Sequence, residues 1–471
     1  MLFSSTFFLL YFLPVFFTIY FIIPTGWKNY FIVFSSLLFY AWGAPLFVFV
    51  LLASIVVNFY AAHIIYNGTE KNKKIVFVSS IILNVSFLLY FKYVNFFIEN
   101  FNVLVGSFGF QSVSFVRIAL PIGISFFTFH QLSFIIDIYR RVKPPMKKIS
   151  DYALYILLFP QLIAGPIIRY NEISDQIQGR DKRFHVDDAL SGLLRFSIGL
   201  AKKVLIANVL GQEADRIFSL PADQLNFMLS WIGAITYTFQ IYFDFSGYSD
   251  MAIGLAKMMG FTFPENFNHP YIAQSITDFW RRWHISLSRW MRDYLYIPLG
   301  GNKVSNLRLY FNLWLVFLIS GFWHGAEWTF IEWGAYHGFF LAMERLFLLK
   351  LTSKIGIALR MFFTFFIVVI GWVIFRAENM TQAFTFIKTM FSYSTTEYLF
   401  SPQLLFILSI AILLSFIPII NTLLKKENKS TVSSLTIYKS IAAFVAIIVF
   451  MTLCIGEITS SNFNPFIYFK F

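Results

Sequence analysis

Long apolar runs separated by short polar stretches dominate the chain. The first charged residue is Lys28, and the run from there to Glu70 carries no other charge and is interrupted only by "GAP" at 43–45. Because one helical crossing needs about 20 apolar residues, this run is long enough for two crossings. The same pattern predicts eleven transmembrane helices in all, over residues 2–24, 29–42, 46–66, 75–97, 114–136, 226–243, 309–325, 328–350, 359–377, 403–421 and 438–456.

The composition also indicates a membrane protein. Of the 471 residues, 58% are hydrophobic and 13% are charged, whereas soluble domains carry roughly a quarter charged residues. Lipid offers the backbone no hydrogen bonds, and the apolar runs lack the alternation of barrel strands, so the spans are expected to be helices. We therefore predict an all-α polytopic membrane protein that forms a single embedded domain over residues 1–471.

The distribution of charge gives a partial topology. The net charge of +13 is assigned to loops that face anionic membrane lipid, and nucleic-acid binding is excluded because no predicted soluble domain could present a basic face. The basic loops at 70–74 and 140–148 are expected in the cytosol, and residues 93–116, which contain no lysine or arginine, outside. Beyond residue 150 this assignment of sides fails, because the basic region 281–308 and the basic segment "KKENK" at 425–429, which lies outside the residues that the structure describes, fall outside the cell unless 150–225 contains an unconventional crossing or a funnel.

The apolar segment "LLFPQLIAGPII" at 157–168 cannot form one continuous helix. It contains Pro160, Gly165 and Pro166, and proline removes a helical hydrogen bond and clashes with the preceding turn. Broken backbone at membrane depth is tolerated only where protein or a water-filled cavity surrounds it. We therefore expect membrane-embedded but non-spanning structure between residues 150 and 308, beside a cavity.

The densest polar chemistry lies between residues 240 and 340. A stripe at helical spacing within it consists of Phe279, Trp283, Leu287, Trp290 and Tyr294. This spacing predicts a basic amphipathic helix whose arginines lie off the apolar stripe. One interpretation is an interfacial helix with aromatic anchors and snorkelling arginines. The other is that Arg281 or Arg282 binds an anionic group such as a phosphate.

Among the seven histidines, His324 is the strongest candidate for chemistry. An ionisable side chain inside a membrane span is costly and by default functional, and an imidazole is suited to take a proton from a hydroxyl group near neutral pH. Metal binding would need three or four converging ligands, and no HxxxH spacing occurs here. His63 and His130 are interpreted as packing residues and His185 as a solvated loop residue. His337, thirteen residues from His324, would lie on a largely opposed face of one uninterrupted helix.

Glycines and tryptophans flank His324 in the word "GFWHGAEW" at 321–328. Gly321 and Gly325 would let backbone or ligand approach the ring closely. Trp323 and Trp328 could wall a narrow site. The sequence therefore predicts a roomy pocket around His324.

Five words of the sequence closely resemble the membrane-bound O-acyltransferase family, in particular its bacterial alginate O-acetyltransferase branch. They occur in the order of the family and define a motif-bearing core over about 120–340, outside which only the hydropathy pattern agrees. The words are "PIGISFFTFHQLSFIIDIYR" at 121–140, "FPQLIAGPIIRY" at 159–170, "FDFSGYSDMAIGLAKMMGFTFPENFNHPY" at 243–271, "DFWRRWHISLSRWMRDYLYIPLGGN" at 278–302 and "GFWHGAEWTFIEWGAYHG" at 321–338.

The resemblance implies the fold of that family, with re-entrant and interfacial helices around a central cavity, in a bacterial cytoplasmic (inner) membrane. It implies transfer of acetyl from a cytosolic donor, acetyl-CoA, to hydroxyl groups of an exopolysaccharide or peptidoglycan, directly or through a periplasmic or extracellular acetyltransferase partner. The family's invariant histidine falls on His324. Its second motif position, an asparagine or histidine, falls on His284, and the two residues are expected to line one cavity. Arg281 or Arg282 could hold the phosphates of coenzyme A, and no permanently bound cofactor is implied.

Two other functions are compatible with parts of the sequence. One is transfer of another acyl group, such as D-alanyl, from a carrier protein to a cell-wall polymer. The other is a transporter or flippase with the histidine in a proton relay. That function predicts inverted repeats, and the 278–338 words have no internal copy in the sequence.

Overall fold

The computed structural model describes residues 1–394, 401–423, 437–461 and 463, and the regular elements within those ranges are all helical. The all-helical architecture predicted from the sequence is confirmed. Two compact units can be distinguished. The N-terminal unit comprises Met1–Phe3, Phe7–His185 and Ala256–Phe263, and the C-terminal unit comprises Ser4–Thr6, Val186–Leu255 and Pro264–Phe471.

The helices of the N-terminal unit are Phe8–Ile22, Lys28–Gly43, Phe47–Asn67, Glu70–Ser107, Ile124–Tyr139, Ile149–Leu157, Phe159–Leu162 and Tyr170–Gly179. Polar pairs join three of the long ones. The side-chain amides of Asn58 and Asn84 donate to each other's oxygens over 3.2 and 2.8 Å, and Gln131 Nε2 donates to Ser54 Oγ over 2.7 Å. Such bonds hold helices together where the hydrophobic effect does not.

The helical segments of the C-terminal unit, in chain order, are Val186–Ala201, Lys202–Ala207, Asn208–Phe218, Phe227–Met258, Pro270–Ile272, Ile276–Arg282, Ile285–Met291, Arg292–Tyr296, Asn306–His324, Trp328–Met343, Glu344–Leu348, Leu349–Thr352, Ile357–Arg376, Met380–Met390, Pro402–Leu423 and Ile437–Ser460.

Within the described ranges, five helices are long and apolar enough to cross a membrane, at Phe47–Asn67, Glu70–Ser107, Ile357–Arg376, Pro402–Ile419 and Tyr438–Ser460. All five coincide with predicted spans. Each of the other six predicted spans also overlaps a helix, but those helices do not meet both criteria of length and hydropathy. The total of eleven crossings stays a prediction.

Three predicted spans have the wrong bounds. The span expected over 75–97 lies within the longer helix Glu70–Ser107. The span expected from residue 114 begins only at Ile124. The preceding residues include Pro121 and Gly123, whose φ of 77° lies in the left-handed region, and a Cβ at Gly123 would lie 2.6 Å from the carbonyl oxygen of Leu162. The span expected to end at 243 instead continues to Met258. The helix carries Asp244 inward because Lys203 Nζ lies 2.8 Å from its carboxylate and both side chains are buried.

The apolar segment 157–168 is broken and buried, as predicted. One helix ends at Leu157, a single turn spans Phe159–Leu162, and residues 163–169 have no regular helix, although residues 157–168 are all buried. A Cβ on Gly165 would overlap the backbone of Pro160 and Gln161, so the turn requires glycine there. Whether this segment lies at membrane depth stays a prediction.

The amphipathic helix expected across 279–294 is in fact interrupted at Trp283 and His284, and the part after the break continues directly into the Arg292–Tyr296 segment. Ile276–Arg282 ends before Trp283, and Ile285–Met291 begins after His284. His284 has a φ of 43°, which is left-handed and uncommon for a residue with a Cβ. The chain turns sharply at this histidine, and the apolar stripe continues on the second helix.

Candidate active site

His324 is the last residue of the Asn306–His324 helix, and its side chain is only 4% exposed. Aromatic rings surround it. The centroid of its imidazole lies 4.8 Å from that of Trp323, 5.1 Å from Trp333 and 5.5 Å from Phe375, in edge-to-face arrangements. The structure therefore encloses this imidazole in an aromatic cluster contributed by three successive long helices of the C-terminal unit.

The glycines beside His324 do not leave open space, contrary to the sequence-based expectation. A Cβ on Gly321 would overlap the carbonyl oxygen of Phe330, and a Cβ on Gly325 would overlap the Phe330 ring. These glycines allow the Asn306–His324 and Trp328–Met343 helices to pack closely, as small residues do between membrane helices. Trp328 is more than half exposed, and Trp333 supplies a buried indole against the imidazole.

His284 lies in the same cluster and is near the same indole, Trp323. Its ring is fully buried and its centroid is 6.4 Å from Trp323 and 4.7 Å from Phe245. Since Trp323 also contacts His324, both histidines lie near one tryptophan. Their opening into a common cavity stays a prediction.

Asn266 anchors His284 to the preceding loop, and sequence reasoning missed it. Asn266 Oδ1 lies 3.1 Å from His284 Nδ1 and also accepts from the backbone N and the Oγ of Ser286, over 3.2 and 2.9 Å. The Asn266 carbonyl accepts from Ile285 N over 2.9 Å. The quoted word "PENFNHPY" contains this residue, but nothing in its spacing signals a contact eighteen residues along the chain.

The expectation that His337 faces away from His324 applied to one uninterrupted helix, and the structure does not have such a helix here. The helix is interrupted between His324 and Trp328, so the spacing argument for one continuous helix does not apply. The fully buried His337 ring is 5.1 Å from Trp333 and 5.2 Å from Trp280. Trp333 thus contacts both His324 and His337.

A cavity of about 760 Å³ adjoins this cluster, with Trp280 in its wall. We call it the arginine cavity, because four of its lining residues are Arg281, Arg289, Arg292 and Arg345. Arg292 pairs with Asp293 and Arg345 donates to Asn302. The guanidinium groups of Arg281 and Arg289 have no hydrogen bond or ion pair within the part of the chain that the structure describes. The cavity is therefore suited to an anionic ligand.

Arg282, the other arginine predicted to bind phosphate, is engaged elsewhere. Its Nε donates to Asp278 over 2.9 Å and its Nη1 to the Asn268 carbonyl over 3.3 Å. It does not line the arginine cavity. Of the two candidates, Arg281 is the one placed to meet a ligand there.

The remaining candidate histidines lie in the N-terminal unit. His63 Nδ1 is 2.9 Å from the Phe59 carbonyl on its own helix, and His130 is fully buried with its ring 5.5 Å from that of Tyr155. His185 is exposed and lies 3.0 Å from Asp181. These placements agree with packing for the first two and a solvated loop for the third.

Comparison with known proteins identifies the family. The model of the membrane-bound O-acyltransferase family matches residues 9–376. A protein of Pseudomonas aeruginosa named "probable alginate O-acetylase" is 45% identical over 84% of this chain and 76% of its own length. A Helicobacter pylori peptidoglycan O-acetyltransferase is 41% identical over 83% of this chain and 80% of its own.

A more distant similarity covers about half of the chain. The teichoic acid D-alanyltransferase of Bacillus subtilis is 31% identical over 48% of this chain and 59% of its own length. The family match spans the words that contain both motif histidines. With its long apolar helices and its buried histidine cluster, the chain belongs to the membrane-bound O-acyltransferase family, and it is a multi-pass membrane enzyme that transfers acyl groups to hydroxyls.

Proposed function

We propose that this enzyme transfers acetyl from acetyl-CoA to hydroxyl groups of an envelope polysaccharide, directly or through a partner acetyltransferase outside the cytoplasmic membrane. The main structural support for this proposal is that His324 is enclosed in the aromatic cluster that also contains His284. The acceptor class is suggested by the alginate and peptidoglycan O-acetyltransferases, which are similar over more than four-fifths of the chain.

His324 acts in this proposal as the general base. Its imidazole takes the proton of the acceptor hydroxyl while the oxygen attacks the acetyl carbonyl, the carbon–sulfur bond breaks, and the proton passes to the departing thiolate. Enclosure by Trp323, Trp333 and Phe375 excludes water, which limits hydrolysis of the thioester. His284, which also lies near Trp323, provides the second polar group of the site.

The arginine cavity would hold the donor's phosphates. Coenzyme A carries a pyrophosphate and a further phosphate, and guanidinium groups bind phosphate with paired, charge-assisted hydrogen bonds. Arg281 and Arg289 both line the cavity. Trp280 lies between this cavity and His337, and Trp333 continues the contact to His324.

A test of the function uses purified enzyme in lipid nanodiscs, with release of free coenzyme A and acetylation of added polysaccharide as readouts. Replacing His324 with alanine should lower the rate by about a hundredfold to ten-thousandfold, as expected for loss of a general base. His324→Gln, which keeps more of the side-chain volume, should be equally inactive. His63→Ala is the matched control, because that ring packs on its own helix, and it should retain nearly full activity.

The alternative donor is a carrier-protein thioester, as suggested by the teichoic acid D-alanyltransferase similarity. Consumption of acetyl-CoA by the wild-type enzyme supports the proposal. Consumption only of an aminoacylated carrier protein would overturn it and establish the alternative. Substantial acetyl transfer by both His324 variants at matched protein level would remove His324 from the mechanism.

A further inference from the structure

The contacts of Asn266 determine which nitrogen of His284 carries the proton. The backbone N of Ser286 lies 3.2 Å from the side-chain atom of Asn266 that faces His284. A peptide N–H can only donate, so that atom is the amide oxygen and not its nitrogen. The same oxygen lies 3.1 Å from His284 Nδ1. Nδ1 must therefore carry a hydrogen and donate it.

Whether the other ring nitrogen, Nε2, carries a hydrogen follows from the charge of the imidazole. Complete burial of the ring lowers the pKa of His284 to about 3, so the imidazole is neutral at physiological pH. A neutral imidazole with hydrogen on Nδ1 has a lone pair on Nε2. His284 consequently presents a hydrogen-bond acceptor from its Nε2 edge.

Hydrogen bonds of the surrounding backbone impose the conformation of His284 and so fix the orientation of its ring. His284 is held with a left-handed φ of 43°, a strained conformation for a residue with a Cβ that persists only where surrounding contacts impose it. Backbone bonds impose it on both sides, from Asn268 N to the Arg282 carbonyl and from Ile285 N to the Asn266 carbonyl, each over 2.9 Å.

We propose that Asn266 is a positioning residue that fixes His284 as its Nδ1-protonated tautomer, so that Nε2 accepts a hydrogen bond in the reaction centre beside Trp323. His284 would then orient the acceptor hydroxyl or the His324 imidazole. It would not donate to the oxygen of the tetrahedral intermediate, because the Nε2 edge carries no hydrogen. This inference rests on the proposed function for its kinetic readout only.

Ionisable groups lie on the elements that pack around His284. Asp244 precedes the contacting Phe245 and pairs with Lys203, and Glu265 precedes Asn266 and pairs with Arg195. His324 follows the contacting Trp323. An altered pH profile is therefore interpreted only by comparison among variants that keep all of these groups.

Three substitutions separate positioning from simple packing. Asn266→Asp keeps an acceptor oxygen for all three donors but places a carboxylate on Nδ1, which favours the imidazolium. In that variant Nε2 becomes protonated as pH falls, so the acidic limb of the rate profile should move to higher pH. Asn266→Leu removes the acceptor and should lower kcat by at least tenfold. Ser286→Ala, the matched control, removes the 2.9 Å hydroxyl bond to Asn266 but leaves the bond to the imidazole, and it should keep kcat within about threefold.

A spectroscopic test does not depend on activity. Solid-state NMR of enzyme containing ¹⁵N-labelled histidine, with the His284→Asn variant subtracted, should show His284 protonated at Nδ1. In Asn266→Leu this signal should become a mixture of tautomers. A wild-type His284 protonated at Nε2, an unshifted profile in Asn266→Asp, or a Ser286→Ala defect equal to that of Asn266→Leu would overturn the proposal. Absence of acetyl transfer in wild type together with the expected NMR signal would instead contradict the proposed function alone.

Discussion

At the scale of single residues, Arg281 and Arg289 can be tested directly. Neither guanidinium pairs with another residue in the described ranges, and both line the arginine cavity. A hydrogen bond to a charged group contributes about 1.5–3 kcal/mol. Replacing either arginine with glutamine should therefore raise KM for acetyl-CoA by about tenfold to a hundredfold with a smaller change in kcat.

The control for these variants is Arg308→Gln. Arg308 is exposed and its guanidinium lies over the Phe311 ring at 5.4 Å, so the variant removes the same charge outside the cavity. It should leave KM unchanged. If the Arg281, Arg289 and Arg308 variants all had the same KM for acetyl-CoA, the donor's phosphates would bind outside the arginine cavity. This outcome would leave the role of His324 unaffected.

The same scale shows why some site residues could be predicted and others could not. His324 and His284 lie in motif words that resemble the family, so the sequence indicates them directly. The contacts of Asn266 and His337 depend on two interruptions of helix, at His284 and after His324. A left-handed histidine has no sequence signal comparable to glycine, and residues brought together by such a turn remain distant in any periodic pattern.

At the scale of helices, the Ile276–Arg282 helix depends on a buried carboxylate from another part of the C-terminal unit. Glu344 accepts from the backbone N of Ile276 and, over 2.9 and 2.7 Å, from the backbone N and the Oγ1 of Thr277. The unpaired N–H groups of a first turn carry partial positive charge, which a carboxylate complements. Glu344 therefore holds in place the helix that carries Trp280 and Arg281.

Replacing Glu344 with alanine should lower the free energy of unfolding by about 1–3 kcal/mol for each buried donor left unsatisfied. The measurement is thermal unfolding of purified enzyme in detergent, monitored by the fraction that remains monodisperse after heating. Glu344→Gln, which keeps an acceptor oxygen, should lie between alanine and wild type. Glu332→Ala is the control, because Glu332 is exposed on a neighbouring helix, and a loss of stability there equal to that of Glu344→Ala would contradict the capping role.

Hydropathy located the helices well but not all of their ends. Lipid-facing apolar residues mark a span whatever its tertiary contacts, so Phe47–Asn67 and Ile357–Arg376 match the predicted bounds within two residues. The predicted span that corresponds to the Phe227–Met258 helix ended just before Asp244, the first buried acid of that helix. Hydropathy could not foresee burial of this carboxylate, because its ion-pair partner Lys203 lies about 40 residues earlier in the sequence. The apolar stripe across 279–294 keeps its helical spacing on both sides of the break at His284. Periodicity alone therefore does not reveal that break.

At the scale of the whole molecule, the clearest constraint on topology comes from one helix. Glu70–Ser107 has 38 residues, which corresponds to about 57 Å at ~1.5 Å per residue, well beyond the roughly 30 Å of a hydrocarbon core. Its two ends must emerge on opposite sides if it crosses. The lysines at its start predict that this end lies in the cytosol, whereas the sides occupied by residues beyond 150 depend on how many of the shorter helices cross.

Cysteine labelling tests this orientation, since the chain has a single native cysteine, the buried Cys454. On a Cys454→Ser background, Lys71→Cys and Val103→Cys introduce thiols at exposed positions near opposite ends of the helix. A membrane-impermeant maleimide added to intact spheroplasts should label Val103→Cys and reach Lys71→Cys only after permeabilisation, because the basic end faces the cytosol. The cysteine-free background gives the baseline. Labelling of both positions from outside would show that the helix does not cross, and labelling of Lys71→Cys alone would reverse the assigned orientation while leaving the active-site geometry unaffected.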